Sequence, residues 1–435
     1  MKTTFIAVGD AFVTRRLHDN HDTDVSSVRQ TILAHDVRFC NLEFTVHNKE
    51  GYPAAFSGGT WAMSEPEILD DLNTFGFNLY NTATNHSLDY SHGGLLATIN
   101  HLKERQLLYA GTGENLAEAS APAYLDAPHA RVAMIGAAAS FHDSDIAGNS
   151  NSVLSGRPGL NPVRVQTTYH VQPAYYAMLK TIAEKTKMNV AQLRTIANGF
   201  AAPLPEGKMY FAGLSFLESD ENAVHTAPLK KDMDRILQSI QTAKEQADYV
   251  LVSIHAHQAL ADDPAVPAEF LTTFAHACID AGAHAILGHG PHELRGIEIY
   301  KDRPIFYSLG NFIFQSDTVT TQPAEAYENK GLHAESAVAD LMNKRSANGT
   351  RGYVVQPNIW RSVMAGFTAE DGRITQIQLH PITLHMELPV ERRGWPSIDN
   401  DENDAVLTYL ADLSKPFGTD IVIQNHTGII NLKNK

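Results

Sequence analysis

The sequence predicts a layered α/β fold, and three observations carry that expectation. From residue 5 to about 140, short apolar runs of strand length alternate with segments patterned as helices. The alternation resumes near residue 226 after an interruption of different composition. Side chains able to bind metals recur just past the ends of the apolar runs, the edge at which α/β sheets present ligand sites.

Strands are expected at 5–8, 37–42, 77–83 and 131–137. Between them, Glu65-Pro66-Glu67 opens a helix to Leu72: proline is tolerated in the first turn, acids favour the positive dipole end, and Gly76 stops it. Leucine and isoleucine at helical spacing predict a second helix over 94–106. Residues 141–225 break the rhythm. Gly156-Arg157-Pro158-Gly159 and Ala202-Pro203-Leu204-Pro205-Glu206-Gly207 bracket one amphipathic stretch over 173–197, which reads as an inserted helical cap. The expected organisation is a core made of 1–140 and 226–435, with an insertion at 141–225. Helices near 232–246 and 267–281 then alternate with strands at 249–254 and 283–287. A polar stretch to about 351 reads as loop and short helix, followed by strand-like runs at 352–360 and 374–384.

Composition narrows the function classes. With 435 residues, 43% of them hydrophobic, the chain can bury a large core, and its formal charge of −15 leaves no basic stripe for nucleic acid. Two cysteines, Cys40 and Cys278, cannot form a disulfide framework and suit a reducing compartment. The N-terminal apolar run is too short for a signal peptide, and no apolar stretch approaches the ~18 residues of a membrane span. A soluble, cytoplasmic protein without a membrane anchor is expected, with a homodimer as one possible assembly.

Candidate site residues fall at five strand ends: Asp10, Glu43, Asn85 with His86, His255 with His257, and His289 with His292. Each alone has an ordinary structural explanation, such as a turn aspartate or a hydrogen-bonded histidine. Their repetition points to a site for a divalent ion. Mixed oxygen and imidazole donors suit Mn, Fe, Zn or Co rather than Ca or a thiolate site. No P-loop, His-Glu-x-x-His helix or Gly-x-Ser-x-Gly elbow is present in the sequence. Cys40 lies inside an apolar run and reads as core. Arg15 and Arg16 could recognise a substrate carboxylate, and Asn311 with His257 could line the pocket.

The most specific run is Gly288-His289-Gly290-Pro291-His292, continuing through Gly296-Ile297-Glu298 to Tyr307-Ser308-Leu309-Gly310-Asn311-Phe312. With Gly9-Asp10, Asn41-Leu42-Glu43, Asn85-His86 followed by Asp89-Tyr90, and Val252-Ser253-Ile254-His255, it makes residues 4–315 resemble the CapA family of capsule and poly-γ-glutamate synthesis proteins. That family shares the calcineurin-like metallophosphatase fold, so the resemblance implies a four-layer α-β-β-α sandwich holding one or two metals. It further implies Glu43 as a bridging ligand, Asn85, His255 and His289 at one metal, and Asp10 and His292 at the other. His86 would exchange protons with substrate, as could His292. Three departures weaken a phosphomonoesterase expectation: Asp10-Ala11-Phe12 replaces Asp-x-His, Glu43 stands where the bridging aspartate is usual, and one extra residue separates His289 from His292. The resemblance points to a peptide or glutamyl polymer as substrate. Hydrolysis by a metal-activated water is the first expectation. Metal-assisted Cα epimerisation of a peptide and a non-catalytic accessory role are the alternatives.

Overall fold

The computed structural model describes residues 2–17, 24–260 and 263–432. Its larger sheet runs, edge to edge, through Val422–Gln424, Thr427–Asn431, Arg373–Thr383, Arg361–Glu370, Lys2–Phe12, Val37–Leu42, Leu79–Asn81 and Tyr109–Ala110. Asn311–Phe314 pairs with the end of Lys2–Phe12. The second sheet runs through Leu294–Tyr300, Arg303–Leu309, Ala285–His289, Tyr249–His255, Ala130–Ala138 and Ala123–Ala127. The strand Tyr249–His255 is parallel to both of its neighbours, with His255 directly opposite His289.

Alternation along the strands explains the packing, because successive side chains leave opposite faces. From Lys2–Phe12, Phe5 and Ala7 join a core that also takes Met134, Leu251 and Leu287 from the other sheet. Ile6 and Val8 face away, against Val28, Leu69 and Leu102 of the helices Ser26–Leu33, Ile68–Asn73 and Ser91–Glu104. Likewise Val250, Val252 and Ile254 pack with Ile236 and Phe274 of the helices Lys230–Lys244 and Glu269–Ala281. These strands are apolar on both faces because both faces are covered.

Two expected elements differ. Residues 141–225 are not purely helical: Lys208–Phe211, Leu214–Glu218, Val165–Val171 and Ala223–Pro228 form a separate four-stranded sheet. Runs such as Val165-Gln166-Thr167-Thr168-Tyr169 favour a half-exposed strand through their β-branched and aromatic side chains. The single amphipathic stretch is two helices, Pro173–Thr186 and Val190–Ala197, separated where Lys187 turns left-handed at φ 59°. Residues 352–360 form two 3₁₀ turns, Tyr353–Val355 and Pro357–Trp360, instead of a strand. Gly352 at φ 82° and Pro357, which lacks a ladder donor, are incompatible with continuous pairing. Cys40 and Cys278 are both buried free thiols. Among the described residues, no helix is long and apolar enough to cross a membrane.

Candidate metal centre

Five strand ends converge on one point between the two sheets. Asp10 is placed there by an unusually close approach of backbones: its N–H donates to Gly310 O at 2.9 Å, and a Cβ on Gly9 would lie 1.8 Å from that same oxygen. Only glycine at position 9 allows this contact. Asp10 is wholly buried, accepting from Asn41 Nδ2 at 2.7 Å and from Gly290 N at 3.0 Å. Asn41 Oδ1 in turn accepts from Asn81 Nδ2 at 2.7 Å, so a line of amides sets the carboxylate's position.

Around this anchor the donors form two groups, Asp10 with His255 and His289, and Glu43 with His257 and His292; within each group the donor atoms lie within 4.8 Å of one another. The groups touch. His255 Nδ1 is 3.0 Å from His289 Nδ1, and His255 Nε2 is 2.7 Å from Asn85 Oδ1 and 3.2 Å from His257 Nε2. Glu43 reaches both groups, with Oε1 3.5 Å from His255 Nε2 and Oε2 3.7 Å from His292 Nδ1. Asp10 does the same, 3.7 Å from His289 and 3.6 Å from His292. Each carboxylate thus lies near imidazoles of both groups, Asp10 near His289 and His292 and Glu43 near His255 and His292.

Surrounding groups orient these donors, in the way that outer partners do at metal sites. Ser253 Oγ lies 2.7 Å from His289 Nε2. Asn311, fully buried, places Oδ1 2.9 Å from His292 Nδ1 and donates to the carbonyls of His292 and Ile359. Its amide is thus engaged in holding His292, which adopts a left-handed φ of 63°, rather than facing a substrate. Arg295 is also fully buried and donates to the carbonyls of Ala256, His257 and Pro264, fixing the loop that carries His257. The tyrosine Tyr353 packs edge-on to His292 at 5.4 Å.

His86 lies beside the cluster, 3% exposed, with Nδ1 2.6 Å from Asp89 Oδ2. Asp89 is held by the backbone N–H groups of Ala62 and Gly58. Phe12, where the usual motif has a histidine, packs edge-on against His86 at 5.3 Å.

Arg15 and Arg16 have other partners. Arg16 forks onto Asp71 at 2.7 and 3.0 Å, and the Arg15 guanidinium donates to the carbonyls of Glu391 and Arg393. Both line a pocket of about 640 Å³ that includes Lys49, Glu65 and Thr320 but none of the clustered donors.

Burial dictates the electrostatics. Asp10 is pushed up to about 7 by desolvation, only partly offset by its hydrogen bonds, and Glu43 is driven well above its usual range by burial and then by Asp10 and Asp89. Burial holds His289 down at about 3 and His292 at about 4, and lowers His255 and His257 as well, with neighbouring imidazoles adding to the effect on the last two. Among the described residues, neither oxygen of Glu43 has a hydrogen-bond donor. A buried carboxylate without donors costs several kcal/mol unless a cation is supplied. Neutral imidazoles and carboxylates arranged this way fit a divalent transition ion.

Residues 4–316 match the family described as bacterial capsule synthesis protein PGA_cap. The chain belongs to that family. The CapA resemblance read from the motifs is thereby borne out. The chain is 34% identical to the "Uncharacterized protein y4sH" of Sinorhizobium fredii, covering 99% of this chain and 93% of that one. It is 26% identical to "Capsule biosynthesis protein CapA" of Bacillus anthracis, over 78% of this chain and 67% of the other. It is 24% identical to "PGA biosynthesis protein CapA" of Bacillus subtilis, over 67% and 52%.

Proposed function

We propose that this chain is a divalent-metal enzyme of polymer synthesis that hydrolyses an amide bond in a glutamyl polymer or peptide. The observation that carries the metal is Glu43, a fully buried carboxylate with no donor on either oxygen among the described residues, facing imidazoles held neutral. Asp10, His255 and His289 would hold one ion and Glu43, His257 and His292 a second, with Asn85 beside His255 and Glu43 spanning both. Mn, Fe, Zn or Co suits this donor set. The substrate class rests on the capsule and PGA biosynthesis names of the Bacillus relatives. The core is a four-layer α-β-β-α sandwich formed by 1–140 and 226–435, and residues 141–225 are its cap; the shared inter-sheet core and two helix-covered outer faces support this layering.

A divalent ion bound there would supply a Lewis acid that polarises a carbonyl and acidifies water. The chain's own contribution is proton transfer and orientation. Asp89 accepts from His86 Nδ1–H, which leaves the Nε2 lone pair to take the proton released by the attacking water and pass it to the leaving amine. Ser253 and Asn311 hold His289 and His292 in place, and Arg295 holds the His257 loop.

Metal content of the purified protein, measured beside an Asn85→Ala/His255→Ala variant, tests the centre: one or two ions are expected, lost in the variant. Incubation of γ-glutamyl oligomers in heavy water then tests the chemistry. Shorter chains without carbon-bound deuterium are expected. Deuterium at Cα with no shortening would replace hydrolysis by epimerisation, and failure to bind metal under supplementation would leave an accessory role.

A further inference from the structure

A second set of metal-ligand types lies far in sequence from the buried centre, on the four-stranded sheet of the insertion. In that sheet Val165–Val171 and Ala223–Pro228 run antiparallel with Thr168 opposite His225 and His170 opposite Ala223. His170 and His225 are therefore diagonal neighbours on one face, close enough to interact. Their ring centroids are 4.3 Å apart. Glu221, in the turn entering the second strand, points one oxygen at both: Oε1 is 3.1 Å from His225 Nε2 and 3.6 Å from His170 Nδ1.

The two Glu221–histidine separations, 3.1 and 3.6 Å, lie close to those of a tetrahedral site. With Zn–N and Zn–O bonds near 2.0–2.2 Å, adjacent corners of the tetrahedron lie about 3.3–3.6 Å apart. The three ligand atoms fall within 4.8 Å of one another.

An independent feature orients the cluster. Glu269, the first residue of the helix Glu269–Ala281, has Oε2 3.3 Å from His225 Nδ1 and accepts from Thr226 N at 3.0 Å. A carboxylate accepting from one imidazole nitrogen fixes the tautomer and leaves the other nitrogen's lone pair for a metal, the arrangement that accompanies histidine ligands generally. Here that carboxylate belongs to a different part of the fold from the three ligands. Side-chain exposures of 22% for His170, 41% for His225 and 58% for Glu221 leave the site open to solvent, so an ion can enter without unfolding and a water can take the fourth corner.

We propose that His170, His225 and Glu221 form a surface site for zinc or a similar divalent transition ion, with Glu269 as its orienting partner, clipping the inserted sheet to the core helix. The competing state of the same residues is a protonated His225 lying between two glutamates with no ion. The two are separated by zinc titration of the full chain against a chromophoric chelator, in the native protein and in His170→Ala, His225→Ala and Glu269→Gln variants. The native chain is expected to take one zinc more than His170→Ala or His225→Ala. Glu269→Gln should keep the site but weaken it by about 10–100-fold, the usual effect of losing an outer partner. An Asn85→Ala/His255→Ala background removes the buried centre from the count. If that variant does not fold, anomalous scattering at the zinc edge from zinc-soaked crystals of the native chain decides the matter by the position of the peak. Equal zinc content in the native chain and His170→Ala, or no anomalous peak between His170 and His225, overturns the site.

Discussion

Asp232 and Glu43 are both carboxylates with no exposed surface, and the fold treats them in opposite ways. Asp232, where the helix Lys230–Lys244 meets the start of the insertion, accepts from Arg164 Nε and Nη2 at 2.8 and 2.9 Å, from Arg235 Nη1 at 2.7 Å and from a backbone N–H. Burial pushes its pKa up, yet these bonds outweigh burial and hold it below the ordinary value. Among the described residues Glu43 has no arginine, lysine or hydrogen-bond donor as partner, and its pKa is driven upward. One carboxylate carries its cation within the chain. The other carries none within the described residues, which is the difference that the proposed metal centre rests on and that residue type alone does not reveal.

Breaking the built-in pair should give the largest effect. Asp232→Ala leaves Arg235, itself largely buried, without its partner, and a loss of about 3–5 kcal/mol is expected in denaturant unfolding. The loss should be the same with and without added metal. A loss that metal restores would mean that Asp232 is not a separate structural pair.

Next in size is the pH dependence of the metal-free protein. The folded chain raises Asp10 from 3.8 to about 7, so between those values it holds a proton that the unfolded chain has released. Stability from this source is intact below about pH 4 and is lost as pH rises towards 7, a change of roughly 4 kcal/mol. His289 and His292 act in the opposite sense: held neutral at about 3 and 4, they contribute fully above 6.5 and lose that contribution as pH falls. The difference between native protein and Asp10→Asn in chelator isolates the first effect. The variant should gain on the native chain steadily from pH 4 to 7, and a constant gap would show that Asp10 titrates normally.

Glu43→Gln sharpens the comparison from the other side. The amide keeps the shape and removes the charge, so the metal-free protein should be no less stable while metal affinity falls by about 100-fold or more, measured by competition with a chelator. Unchanged affinity would remove Glu43 from the centre.

The strand ends that carry Asp10, Glu43, Asn85, His255 and His289 were legible because an apolar run followed by a polar ligand type is a local pattern. What the pattern could not show is which side chains meet across the fold. Asn41, inside an apolar strand, joins Asp10 to Asn81, and Arg295 reaches back to the His257 loop, 38 residues earlier in the chain. Asn41 is legible as part of Asn41-Leu42-Glu43 although its contacts are not, and Arg295 has no local signature. Arg15 and Arg16 show the converse, since a basic pair after a strand looks available in sequence whereas the fork of Arg16 holds Asp71, 55 residues away. The spacing of Asp89 three residues after His86 was visible, but their contact depends on an irregular turn rather than a helix. The strands of the insertion have no clear local pattern, because they are short and half-exposed and their apolar and polar side chains do not alternate strictly.

The smallest expected effect lies at the exposed end of the comparison. His225 sits between Glu221 and Glu269, as Asp232 sits between two arginines, but 41% of its side chain faces water. Solvent screens such contacts and the side chains lose little by separating, so exposed pairs contribute about 0–1 kcal/mol. His225→Ala should therefore change the unfolding free energy by less than about 1 kcal/mol in chelator. With saturating zinc, the native protein should gain stability by mass action while the variant gains only what the buried centre supplies. The gap between native chain and variant should then widen with zinc concentration. A gap already large in chelator would mean that the cluster stabilises the insertion as an ion pair, and that burial, the property separating Asp232 from Glu43, does not set the energetics here.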